Sequence, residues 1–122
     1  MDVLIKFSKK IFDKECHVKG YLLCELPKQE NYFHLKQKLS KKVKTIYFSF
    51  DGRLVAKAKY ISHKIDKYRM IEYQNGYKIE NLIVFGDSKK IKSSIFKGRI
   101  INYIKDKKQK KYIKKLLKDA VG

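Results

Sequence analysis

The chain has 122 residues, 43% of them hydrophobic and 13% aromatic, enough to bury a core in one domain and to exclude disorder throughout. Its formal charge of +19, from 31 Lys and Arg against 12 Asp and Glu, repels itself in a compact state and calls for a negative partner. No apolar run reaches the roughly 18 to 20 residues that span a bilayer, and the opening Met1-Asp2-Val3-Leu4-Ile5-Lys6 lacks the apolar block of a signal peptide, so a cytoplasmic protein with no membrane partner is expected.

In chain order, residues 3–7 alternate apolar and polar side chains and predict a first strand. Residues 17–26 form a second apolar stretch in which Gly20 suggests a tight turn, predicting a hairpin that sets Cys16 opposite Cys24. Two cysteines in a reducing compartment are expected as free thiols. Together with His17 and His34 they match no compact zinc spacing, so no metal is expected.

Over residues 31–43 the apolar positions Tyr32, Leu35, Leu39 and Val43 fall three or four apart, which predicts a short helix with one buried stripe. Lys38, Lys41, Lys42 and Lys44 gather at its end, where the negative pole of a helix dipole favours cations. Next, Asp51-Gly52 separates two β-rich runs, 45–50 and 53–61, and predicts a hairpin with positive φ at both turn residues. With a regular two-residue turn, Ile46, Phe48, Phe50, Arg53, Val55, Lys57 and Lys59 share one face. Tyr47, Ser49, Leu54, Ala56, Ala58 and Tyr60 share the other, so both faces need cover, as in a barrel with an outer helix.

Residues 62–69 read as a polar loop, and Gln74-Asn75-Gly76 reads as a second turn between 70–73 and 77–79. Leu82-Ile83-Val84-Phe85 is a buried strand ended by Gly86-Asp87-Ser88, and residues 100–104 are a last strand. Asp106 with Gln109 three positions on is a capping box for a final helix, with Ile113, Leu116, Leu117 and Ala120 as its buried stripe and lysines opposite.

Catalytic groups are not evident. His17, His34 and His63 each lack a carboxylate or nucleophile at motif spacing, and Phe85-Gly86-Asp87-Ser88-Lys89-Lys90 lacks the spacing of a phosphate loop. Basic residues interleaved with aromatics are better represented, the pattern that grips single strands through phosphates and stacked bases. The candidate nucleic-acid-binding residues are Lys41, Lys42, Lys44, Arg53, Lys57, Lys59, Lys67, Arg69, Tyr73 and Tyr77. Arg53, Arg69 and Arg99 are the only arginines among the 31 basic residues, so dense forked readout of guanine edges is not expected and backbone contact is. The lysine, isoleucine, asparagine and tyrosine bias also fits an AT-rich coding sequence, although such drift would bring matching acidic residues, which are missing.

One block carries a resemblance. Thr45-Ile46-Tyr47-Phe48-Ser49-Phe50, the Asp51-Gly52 turn, Leu54-Val55-Ala56-Lys57-Ala58, a polar loop and Asn75-Gly76-Tyr77-Lys78-Ile79-Glu80-Asn81-Leu82-Ile83-Val84-Phe85 resemble the PUA-like superfamily near its ASCH and EVE branches, over roughly a third of the chain. The resemblance implies an α+β fold over residues 1–122: a small mixed β-barrel of about five to seven strands with peripheral helices near 31–43 and at the C-terminus. It also implies RNA binding or, in the EVE branch, a modified base in an aromatic cage, which here would need Tyr or Phe because there is no Trp. The expected function is a module without catalysis or cofactor that binds the phosphate backbone of RNA, or of single-stranded or modified DNA, with RNA ahead of DNA. The alternatives are a small basic nuclease or nucleoside hydrolase of ASCH type, and a basic protein or inhibitor docking on an acidic protein or ribonucleoprotein.

Overall fold

The computed structural model describes residues 1–68, 72–92, 95–96 and 99–121. The alternating opening is strand β1 (Asp2–Phe7), which buries Val3 and Ile5 on one face and Leu4 on the other. It pairs in parallel with β3 (Thr45–Phe50), which follows β2 (Tyr32–Leu35). The long strands β4 (Arg53–Tyr68) and β5 (Glu72–Lys90) pair antiparallel, and β6 (Ile101–Ile104) lies against the other side of β1. The result is a six-stranded mixed sheet in the order β2-β5-β4-β3-β1-β6, curled into a half-barrel, with one helical segment early in the chain and one helix at the C-terminus. The expected α+β, barrel-like class holds.

Asp51 (φ 50°) and Gly52 (φ 71°) both adopt the left-handed conformation that the two-residue turn requires, so β3 and β4 form the predicted hairpin. Its faces need one correction. Phe50 pairs with Arg53 and Ser49 with Leu54, but Phe48 then pairs with Ala56, leaving Val55 as the extra residue of a β-bulge. Past the bulge the alternation is inverted, so Ala56 and Ala58 join Ile46 and Phe48 while Lys57 and Lys59 turn to the opposite face.

Five other expectations are overturned. Residues 17–26 are helical, not a hairpin: α1 (Glu15–Gly20) runs through a π-helical turn (Tyr21–Glu25) into α2 (Leu26–Lys28). Val18, Leu22 and Leu26, four residues apart, are all fully buried, and this one-sided stripe decides the conformation. Residues 31–43 are not a helix. Tyr32 and Phe33 begin β2, and 36–44 is a loop that inserts Leu39 and Val43 into the same core. The polar stretch 62–69 is strand as far as Tyr68, with Arg69 outside the described residues. Asn75-Gly76 lies within β5, opposite Ile65 and Lys64, rather than in a turn, and β5 also runs through Gly86-Asp87-Ser88.

Two cores result, one on each face. The larger joins Val3, Ile5, Ile46, Phe48, Val55, Ala56 and Ile79 to the helical segment's Val18, Leu22 and Leu26 and to the loop's Leu39 and Val43. On the other face Leu4, Tyr47, Leu54, Phe85 and Ile104 receive Ile113 and Leu116 of α3 (Lys107–Val121). Asp106 caps α3 as expected, its Oδ1 accepting from the Lys108 and Gln109 amides at 2.7 and 3.3 Å. Gln109 closes the box one residue early, accepting from the Lys105 amide at 3.3 Å.

Tyr77 sits at the centre of the larger core, fully buried, with ring centroids of Phe33 at 5.6 Å and His63 at 5.0 Å. Its hydroxyl accepts from the buried Leu39 amide at 2.7 Å and donates to the Gln37 carbonyl at 3.2 Å. Burial pushes its pKa up, against the lowering effect of the Leu39 amide, so the proton given to Gln37 stays in place. Tyr77→Phe strands the Leu39 amide in the core and is expected to lower the unfolding free energy by about 1 to 3 kcal/mol, read from denaturant midpoints.

Burial, helped by the Asp2 carboxylate, pushes the Tyr47 phenol up from 10.0 to about 12. Below pH 10 the group is protonated whether folded or not, and stability does not change through it. Above that the unfolded chain releases the proton first, so stability falls as pH climbs from 10.0 toward about 12. Tyr47→Phe is expected to make the alkaline loss smaller by on the order of 2 kcal/mol, measured as unfolding free energy at pH 9 and pH 12.

Candidate functional site

α3, with Ile91 and Phe96, covers one end of its face, and among the described residues the rest is open, with Lys59, Lys64, Glu80 and Ile83 exposed on it. The pairings Lys57 with Ile83, Lys59 with Glu80, Ser62 with Lys78 and Lys64 with Gly76 run along β4 and β5, and β2 adds Tyr32 beside Lys78 and His34 beside Gly76. The register thus brings Lys57, Lys59, Lys64 and Lys78 onto one surface. At its edge stands Tyr32 of β2, with the Lys64 ammonium 4.1 Å and the Lys78 ammonium 5.9 Å from the ring centroid. Such contacts hold a cation over an aromatic face at the cost of some freedom of its stem. Glu80 lies on this surface, 3.5 Å from Lys59 and exposed, and Asp2 shares the face beyond Thr45, the residue that pairs with Lys59, so the charge is offset only in part.

Gly76 explains why the surface is so tightly built. A Cβ there would stand 3.3 Å from His34 Nε2 and 3.4 Å from Lys64 Cγ, so its missing side chain is the space that both neighbours occupy. Asn75 acts on the opposite face. Its Nδ2 donates to the Lys36 carbonyl at 3.0 Å, which leaves Oδ1 to accept from His63 Nε2 at 2.8 Å.

With Tyr77 and Asn75 holding its start, the loop 36–44 is fixed at Ser40 as well, whose amide donates to Tyr103 Oη at 2.9 Å. Lys36, Lys38, Lys41, Lys42 and Lys44 are all exposed on it, and none forms an ion pair among the described residues. The outer side of α3 adds Lys107, Lys108, Lys110, Lys111, Lys114, Lys115 and Lys118, also exposed and without ion pairs among the described residues.

The predicted site residues therefore part company. Lys57 and Lys59 share the open face, and Lys41, Lys42 and Lys44 lie on the clamped loop. Lys67 and Tyr73 pair across the β4–β5 ribbon, but their side chains, like all of Arg69, lie outside the described residues. Tyr77 is core and offers no ring to a ligand. Arg53 is committed internally: Nε donates to Ser88 Oγ at 2.8 Å, a second nitrogen donates to the Ser88 carbonyl, and Glu15 Oε1 stands 3.8 Å away while accepting from Ser88 Oγ at 2.7 Å. Tyr32, Lys64 and Lys78 were not foreseen. The signal was the alternation in Tyr32-Phe33-His34-Leu35, hidden by a spacing that also fits a helix.

Cys16 and Cys24 are free and exposed on the helical segment. No group of three or more His, Cys, Asp or Glu suited to a metal occurs among the described residues. Among them, too, no helix is long and apolar enough to cross a membrane. No family model, no curated protein and no solved structure matches the chain.

The arrangement separates structural from surface cations in a way that one substitution tests. Arg53→Gln removes the tie from β4 to Ser88 and Glu15 and is expected to lower stability by about 1 kcal/mol, discounted for partial exposure. The same variant is expected to bind oligonucleotides as the parent does, measured by fluorescence anisotropy.

Proposed function

We propose that this chain is a nucleic-acid-binding module, without catalysis, that contacts the phosphate backbone through the open sheet face and the lysine loop. The observation that carries this reading is the set Lys57, Lys59, Lys64 and Lys78 on one uncovered surface, two of them steadied by Tyr32. Lysines that replace condensed counterions on phosphates gain affinity without any base contact. Holding their stems in advance reduces the ordering cost of binding. The outer side of α3 adds lysines on the same side of the sheet, and the clamped loop, which covers the opposite face, presents a second lysine surface.

Backbone contact is favoured over base stacking. The Tyr32 ring already faces Lys64, Tyr77 is interior, and Arg53 is occupied. The PUA-like resemblance of residues 45–85 supports RNA ahead of DNA, and the curled half-barrel is compatible with that family's small barrel.

The test is anisotropy with single-stranded and duplex RNA and DNA across a salt series. Affinity is expected to fall linearly on a log–log plot, with a slope of about −0.7 per single-strand phosphate neutralised. The variant K57Q/K59Q/K64Q/K78Q, changed only at surface positions, is expected to lose more than about tenfold in affinity and to show a flatter slope by about 0.7 for each lysine in contact. No binding at low salt, or binding indifferent to the four substitutions, overturns the proposal.

A further inference from the structure

Between the loop 36–44 and the segment leading from β6 to α3 lies a shallow cleft of about 360 Å3, lined by Met1, Lys38, Leu39, Ser40, Tyr103 and Lys105. That volume falls in the range of small-molecule sites, about 300 to 1,000 Å3. No carboxylate side chain lines it, and neither Lys38 nor Lys105 has an ion-pair partner among the described residues. Lys105 Nζ stands 5.6 Å from the Tyr103 ring centroid, so its ammonium is held at the cleft wall.

The hydroxyl groups are equally one-sided. A hydroxyl has one hydrogen to donate besides its lone pairs. Tyr103 Oη accepts from the Ser40 amide at 2.9 Å, and Ser40 Oγ accepts from the Lys42 amide at 3.2 Å. Neither hydroxyl gives its hydrogen to a protein acceptor among the described residues. Tyr77, by contrast, uses its hydroxyl both ways. The cleft therefore presents two ammonium groups and two uncommitted hydroxyl donors on a backbone fixed by Tyr77 and Tyr103.

A donor set of this kind matches an anion with several acceptor oxygens. A phosphomonoester carries about −1.5 to −2 charges at pH 7 and three strong acceptors. An internal phosphodiester has a single charge and two free oxygens, and leaves part of the set unmatched. We propose that this cleft binds a phosphomonoester, namely the terminal phosphate of a nucleic-acid strand, an inference that rests on the nucleic-acid reading above. The adjoining lysine loop then receives the first backbone phosphates of the same strand.

The experiment compares single-stranded oligonucleotides of one sequence bearing a 5′-phosphate, a 3′-phosphate or only hydroxyl ends, by anisotropy, with an NMR titration of AMP alongside. At least one phosphorylated strand is expected to bind about tenfold tighter than the hydroxyl strand, as charge-assisted hydrogen bonds allow. K38M/K105M, two changes at exposed side chains, is expected to erase that difference while melting like the parent. AMP is expected to give saturable shifts at the Ser40 and Tyr103 amides. Equal affinities for all three strands overturn the assignment and leave the broader nucleic-acid reading intact. If no strand binds, that broader reading fails and AMP alone decides the cleft: saturable shifts at the two amides support a phosphomonoester site, and their absence overturns it.

Discussion

The hydroxyl of Tyr77 is the contact on which most of this architecture depends. A phenol in the core must find partners for its donor and acceptor or lose more than its ring gains by burial. It finds both in the loop 36–44, at Leu39 N and Gln37 O. That pair of hydrogen bonds fixes where the loop crosses the core, which lets Leu39 and Val43 fill it and keeps five lysines outside. The far end of the loop is held separately, by a turn from Ser40 to Val43 and by backbone hydrogen bonds that tie Lys42 and Lys44 to Met1, so the Tyr77 clamp orders chiefly its first half.

What was legible in the sequence was local. The Asp51-Gly52 turn needs only two backbone conformations, and the capping of α3 by Asp106 needs only the first turn of one helix. The alternation of β1 likewise concerns neighbouring side chains. Residues 31–43 failed because the spacing of Tyr32, Leu35, Leu39 and Val43 fits a helix, yet also fits a short strand followed by a loop pinned from outside. The pins, Tyr77 and Tyr103, lie 38 and 63 residues away from the amides they hold. Asn75-Gly76 failed for a related reason. Its dipeptide preference for turns is a weak local bias, and here Asn75 ties the loop while Gly76 makes room for His34 and Lys64. In 17–26 the stripe of Val18, Leu22 and Leu26 was present, but Gly20 carries a competing turn signal.

The candidate surface was half legible for the same reason. Lys57 and Lys59 lie in a recognised hairpin, but a single residue, Val55, in the bulge sets the face to which they turn. Without it they would point into the core with Phe48, where unpaired ammonium groups are not tolerated. Tyr32, Lys64 and Lys78 gather only once β2 docks on β5, a pairing that no local pattern announces.

Charge gives the two faces of the sheet different roles. Glu15 is drawn into the tie among Arg53, Ser88 and Lys19, and Asp51 pairs with Lys9 at 2.8 Å, so these carboxylates brace elements rather than neutralise the open face. The lysines left over repel one another, an interaction that salt screens over a Debye length of about 8 Å at physiological ionic strength. Added salt therefore relieves strain in the free protein while weakening any contact with phosphates, and the two effects have opposite signs. A polyanion acts differently from salt: it relieves the repulsion by occupying the surface, so its binding free energy adds to the stability of the fold. On the proposed reading, partner binding completes an electrostatic balance that the 12 acidic residues of the chain leave open.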